Sequence, residues 1–148
     1  MREVTFLPKQ VAGALTQPAN VISICSPNEF QKFSCEHKRL LRLSFYPNDF
    51  GDLKHNIPTE ETAKQIIDFV ESCEGEDIIV HCGEGRIRSS AVACFIDRDM
   101  GYDLDTCFPG CNGSVSSRSR NLYMLLRREY ASRYPRTPAL FSDQGAAQ

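Results

Sequence analysis

The sequence contains no run of about 18 apolar residues, which excludes a membrane-spanning helix of ordinary length. Residues 1–6 lack the apolar core of a secretory signal peptide, so we expect no export by that route. A large excess of one charge is also missing, because the formal net charge is −2. This argues against a general nucleic-acid binder. Together these absences favour a cytoplasmic protein without a membrane span.

Cysteine is plentiful, but the arrangements that would use it structurally are missing. The seven cysteines are an odd number, and several lie within apolar runs. Reduced thiols in a cytosolic chain fit this pattern better than a disulfide framework. Cys35 with His37, and Cys107 with Cys111, do not form two closely spaced pairs of zinc ligands. We therefore expect no metal site and no cofactor.

The length of 148 residues is most simply one domain, with enough chain to bury a core. We assign residues 1–135 to this domain. Residues 136–148 are small and polar, and we expect them to form a flexible tail. The sequence shows no internal repeat, and we expect a monomer.

Strand and helix patterns alternate along the chain. They predict strands at 4–7, 20–25, 40–45 and 78–81, and helices at 10–15, 28–33, 60–74, 89–100, 103–108 and from Ser117 or Ser119 onward. The strand at 40–45 is nearly continuously apolar, which predicts burial on both faces. This alternation predicts an α/β fold with a mainly parallel sheet of four to five strands and helices on both faces.

A distinctive segment joins the last of these strands to the helix at 89–100. The strand ends in His81 and Cys82, and residues 83–88 (Gly-Glu-Gly-Arg-Ile-Arg) lead into the helix. Backbone N–H groups of a glycine-rich turn and of a helix N-terminus favour an anion. Arg88 adds a bidentate cation, and the same positive field favours a thiolate. We call residues 83–88 the anion cup, and we predict that Gly83, Glu84, Gly85, Arg86, Ile87 and Arg88 bind phosphate.

The segment from His81 to Ser89 resembles the HCx5R(S/T) signature of the cysteine-dependent protein-tyrosine phosphatase superfamily, including its dual-specificity branch. The likeness is strong over 78–96 and loose over the rest of 20–128. It implies a tyrosine-phosphatase-like fold and a hydrolase that forms a cysteinyl-phosphate on Cys82. Ser89 would assist the leaving sulfur, or cap its helix locally, or do both. The alternative interpretation is a buried structural cysteine followed by an ordinary turn.

A phosphatase of this kind also needs a general acid for the leaving oxygen. The breaker-rich loop Tyr46–Pro58 offers Asp49 and Asp52, which lie 33 and 30 positions before Cys82. The resemblance implies an acid about thirty residues before the nucleophile, so neither spacing decides. We prefer Asp49, because Asn48-Asp49 at the crest of the loop, after Phe45-Tyr46-Pro47, looks more like the family pattern.

Three further residues qualify this prediction. Arg86 lies where tensin-type lipid phosphatases place a basic residue, so it either favours a multiply charged substrate or is simply solvated. Glu84 is expected to point away from the anion and brace the backbone. Cys25 ends a strand beside the cup, and the resemblance suggests either a protective disulfide with Cys82 or a plain core thiol.

The sequence thus predicts a metal-independent phosphomonoesterase whose partner is a phosphorylated protein or another phosphomonoester. Phosphotyrosine is the default substrate. Phosphoserine/threonine, phosphoinositide and RNA 5′-phosphate are alternatives within the superfamily. A phospho-binding module without activity and a rhodanese-like sulfur transferase are alternatives of other classes.

Overall fold

A computed structural model describes residues 2–46, 57–83, 87–105, 115 and 119–135. Five strands and four helices are present in these ranges. In chain order they are β1 (Glu3–Pro8), α1 (Lys9–Gly13), β2 (Asn20–Cys25), β3 (Arg39–Ser44), α2 (Glu60–Ser72), β4 (Ile78–Cys82), α3 (Arg88–Met100), β5 (Asp103–Asp105) and α4 (Arg120–Arg133).

The strands form a single sheet in the order β3-β2-β4-β1-β5, and every pairing is parallel. This confirms the predicted α/β class and the parallel sheet. β4 lies at the centre, between β1 and β2. From β1 the chain crosses β4 to reach β2, and from β4 it later crosses β1 to reach β5. The connections that leave these two adjacent strands therefore run in opposite directions along the sheet. In open parallel sheets, such a reversal opens a crevice at the carboxyl ends of the strands.

One face of the sheet carries the main apolar core. Alternate residues of the inner strands, such as Ile22 and Val80, pack there with the apolar sides of α2, α3 and α4. α3 is buried from Arg88 through Ile96, and it ends at Gly101, whose φ of 80° is left-handed. The helix predicted at 89–100 is therefore present and lies in the interior.

The sequence of α2 accounts for its start and its packing. Thr59 caps the helix in a capping box with Thr62. The apolar residues at helical spacing are buried, at Ala63, Ile66, Ile67, Val70 and Cys73. This helix therefore packs on the core as its 3.6-residue period requires.

The opposite face of the sheet is covered more thinly. Here α1 lies against β1 and β4. The segment 26–38 is joined to α1 by hydrogen bonds from the backbone N and Oγ of Ser34 to the Gly13 carbonyl. His81 projects to this side, where its ring and that of Phe33 pack edge to face with their centroids 5.7 Å apart. β4 therefore presents His81 and Cys82 to different sides.

Three local predictions are wrong. β3 is an edge strand with alternating burial, and Leu40 is 39% exposed, so it is not buried on both faces. Asp103–Asp105 forms a strand rather than a helix, because it pairs with β1. No helix occurs over 28–33; Asn28 has a φ of 73°, which cannot continue an α-helix.

Two further predictions concern a membrane span and the C-terminal tail. Within the described ranges, no helix is long and apolar enough to cross a membrane. The expected tail, 136–148, lies outside those ranges.

Candidate anion-binding site

The site is organised by the carboxyl end of the central strand. Cys82 is the last residue of β4 and is 1% exposed. Its Sγ atom lies 3.3 Å from the hydroxyl of Ser89, which is itself fully buried. The predicted contact between the Cys82 sulfur and the Ser89 hydroxyl is therefore present in the structure.

The start of α3 has no capping side chain from its N-cap residue. The N-cap residue is Ile87, whose side chain cannot cap the helix, and the first turn contains no acidic residue. The first intrahelical bond of the turn runs from the Ala91 amide to the Ile87 carbonyl. A helix start of this kind favours a bound anion.

Arg88 is the most informative side chain of the site. It is only 6% exposed, and its Nη1 atom donates to the Phe45 carbonyl at 2.9 Å and to Ser26 Oγ at 3.1 Å. Its Nε is buried and has no hydrogen-bond partner among the described residues. A Cβ added to Gly83 would lie 3.3 Å from Nη2, so this end of the guanidinium lies close to the residue after Cys82.

Nη1 thus makes both hydrogen bonds to Ser26 and Phe45, while Nε has no partner among the described residues. Nε and Nη2 form the pair of parallel donors that binds two oxygens of a phosphate or carboxylate. A buried donor without a partner is costly, by about 1–3 kcal/mol. An anion at the Nε–Nη2 edge would remove that cost.

The sequence analysis missed the groups that hold Arg88. Ser26 and Phe45 follow the last residues of β2 and β3, 62 and 43 positions away from Arg88 in the sequence. The recognisable signal was that Cys25 ends a strand beside the cup. The next residue, a serine, can accept a hydrogen bond from a cation.

His81 anchors the strand end from the other face. Its ring is fully buried, and Nε2 lies 2.6 Å from Ser23 Oγ on β2. Burial lowers the pKa of His81 to about 4, and the positive charges of Arg42 and Arg88 act in the same direction, opposed by a backbone contact at Cys82. The ring is therefore neutral at pH 7, and its contact with Ser23 ties the end of β4 to β2.

Cys25 is a free thiol of intermediate exposure. It follows Ser23 by two residues in β2, and Ser23 bonds to His81, so strand alternation directs Cys25 towards the His81 side. It helps line a cavity of about 580 Å³ together with His81 and Gly83. The disulfide with Cys82 stays a prediction, and the alternation does not favour it.

The remaining predicted residues divide into two groups. Gly83 and Ile87 are described, and both are half-buried at the ends of the cup. Five residues lie outside the described ranges, namely Asp49, Asp52, Glu84, Gly85 and Arg86. No group of three or more His, Cys, Asp or Glu side chains in the described ranges is placed to hold a metal ion.

Comparison with known proteins adds no assignment. No family model matches the chain, and no curated protein matches it.

Proposed function

We propose that this protein is a phosphatase that hydrolyses phosphomonoesters through a phosphorylated Cys82, without a metal. The observation that carries the proposal is buried Arg88 beside the Cys82–Ser89 pair, with an Nε that has no partner among the described residues and an Nη2 close to Gly83. A nucleophile and an oxyanion clamp at one helix start suit an incoming phosphoryl group.

In the first step, the Cys82 thiolate attacks phosphorus. A sulfur–phosphorus bond forms, and the bond from phosphorus to the ester oxygen breaks. The leaving oxygen takes a proton from Asp49, or from Asp52. Arg88 and the amides of the cup hold the equatorial oxygens, where charge is greatest in the transition state.

In the second step, the same carboxylate takes a proton from water. The water oxygen bonds to phosphorus, the sulfur–phosphorus bond breaks, and inorganic phosphate leaves. The Ser89 hydroxyl, 3.3 Å from Sγ, donates a hydrogen bond to the departing thiolate. This contact lowers the charge that develops on sulfur.

Protein phosphotyrosine is the substrate that we propose first, with phosphoserine and phosphothreonine as further candidates. Phosphoinositide and RNA 5′-phosphate remain the alternatives within the same chemistry. The proposal includes the finer fold assignment, a small tyrosine-phosphatase-like domain. Support for it comes from the parallel sheet, which has the strand, cup and buried helix at its centre.

A phospho-binding module without turnover is the second candidate. The observation that favours it is that Arg88, its anchors and the helix start suffice to bind phosphate without any acid. The Cys82–Ser89 contact favours the enzyme instead, because pure binding does not require a hydroxyl at sulfur.

Hydrolysis of a chromogenic aryl phosphate, with chelator present, tests the proposal. We expect turnover by the wild type, inhibition by vanadate, and none with Cys82→Ser. Cys94→Ser is the matched control, since Cys94 is also a fully buried thiol but lies within α3. Turnover by Cys82→Ser equal to that of Cys94→Ser would refute the mechanism. An inactive wild type that still binds phosphopeptide would support the second candidate.

A further inference from the structure

Arg88 is fixed at its Nη1 end by two groups from different strands. Phe45 gives a carbonyl at the end of β3, and Ser26 gives a hydroxyl at the end of β2. We infer that Ser26 is a positioning residue, which holds the guanidinium of Arg88 with its Nη2 end beside Gly83. This inference rests on the proposed function, because it assigns a task to Arg88 in binding the phosphoryl group.

Ser26 is itself held rigidly. The Glu29 amide donates to the Ser26 carbonyl at 3.0 Å, and the Ser26 amide donates to Glu29 Oε1 at 2.9 Å. This reciprocal pair closes a tight turn in which Asn28 adopts a φ of 73°. The side chain of Glu29 thereby engages the backbone of the turn. The Ser26 hydroxyl is presented to Arg88 from a fixed backbone rather than from a loose loop.

The choice of a hydroxyl has an electrostatic consequence. Both acceptors of Nη1 are neutral, and Arg88 forms no ion pair with any carboxylate in the described ranges. A carboxylate in place of Ser26 would orient the guanidinium equally well but would neutralise part of its charge. Ser26 therefore orients Arg88 and leaves its positive charge to the phosphoryl group.

The two anchors do not have equal freedom. The Phe45 amide donates to the Cys25 carbonyl at 3.0 Å, so this backbone belongs to the β2–β3 ladder. With Ser26 removed, Nη1 keeps only the Phe45 carbonyl and the guanidinium can turn about it. Phosphate binding should then weaken.

The experiment compares Ser26→Ala with Ser26→Thr, which keeps the hydroxyl. Ser72→Ala is the control, because the exposed Ser72 hydroxyl lies in α2 and bonds to the carbonyl of Phe69. For each protein, kcat and KM for an aryl phosphate are measured across pH, and the Kd of inorganic phosphate is measured by calorimetry. For Ser26→Ala we expect kcat/KM to fall, and the Kd to rise, by roughly ten-fold, which is the worth of one hydrogen bond to a charged group.

Ser26→Thr should restore most of the loss. A Kd for phosphate in Ser26→Ala equal to that of the wild type would overturn the inference, as would an equal loss in Ser26→Thr. If the wild type shows no turnover but binds phosphate, the proposed function fails while the Kd values still decide the role of Ser26. A wild type that neither turns over substrate nor binds phosphate overturns both. Should Ser26→Ala not fold, Ser26→Cys supplies a side chain of similar size with a weak acceptor.

Discussion

Acidification should destabilise this fold through His81. The ring is fully buried against Ser23 and Phe33, and its pKa is lowered from the ordinary 6.5 to about 4. The unfolded chain therefore binds more protons than the folded one between these two pH values. The free energy of unfolding should fall as the pH drops from 6.5 to 4, and His81 should contribute no further loss below that range.

The magnitude follows from the difference between the two pKa values. At 1.36 kcal/mol for each pH unit, the full loss is on the order of 3 kcal/mol. About 2 kcal/mol of it should appear between pH 7 and pH 5. With an m value of roughly 2 kcal/mol per molar urea, the unfolding midpoint falls by roughly 1 M.

Urea unfolding of the wild type and of His81→Gln at pH 7 and pH 5 measures this contribution. Glutamine can place an amide near the Nε2 position but does not titrate. Burial also lowers the pKa of His37, and its effect is present in both proteins, so the difference between their pH slopes isolates His81. Equal slopes in the two proteins would refute the account of a buried neutral ring.

The other predictions concern the reaction itself. Arg88→Lys should lower kcat/KM for an aryl phosphate by roughly 10²–10³, because lysine lacks the paired donors. Activity near the wild-type level would contradict the role of the Nε–Nη2 donor pair in binding the phosphoryl group. Ser89→Ala should slow breakdown of the phosphoenzyme more than its formation, seen as a larger burst before a slower steady state in stopped flow. The pH–rate profile should be bell-shaped, rising as Cys82 ionises. Asp49→Ala should remove the falling limb; if only Asp52→Ala does so, our preference for Asp49 is wrong.

Local signals predicted the elements whose pattern and packing agree. α2 has a capping threonine, acidic residues in its first turn and an apolar stripe at helical spacing, and all three are used as expected. α3 is apolar nearly all round and ends at Gly101, so its burial could be foreseen. These features depend on residues close together in sequence.

Two of the three wrong predictions depend on partners that are remote in sequence. β3 is apolar enough for the interior, but its position at the sheet edge follows from the strand order. There Arg42 stacks on Phe30 and Phe33 instead of entering a core. Asp103–Asp105 has little strand character of its own and is extended because Glu3–Thr5 of β1 pairs with it.

The residues of the candidate site fall into the same two groups: some follow from local sequence, and others depend on remote partners. Cys82, Ser89 and Arg88 lie within eight consecutive residues, and their spacing on a strand, turn and helix could be read from the sequence. The groups that orient Arg88 could not, since Ser26 and Phe45 reach it only through the pairing of β2 with β3 and β4. A pattern search finds the chemistry of such a site more easily than the parts that position it.

The central claim is that Cys82 carries the phosphoryl group during turnover. Acid quenching within the burst phase, followed by peptide mapping by mass spectrometry, tests it most directly in the wild type and in Ser89→Ala. We predict one added phosphoryl group on the peptide containing Cys82, more abundant in Ser89→Ala and absent from Cys82→Ser. Steady turnover with no phosphoryl group on Cys82 in either active protein would contradict the account.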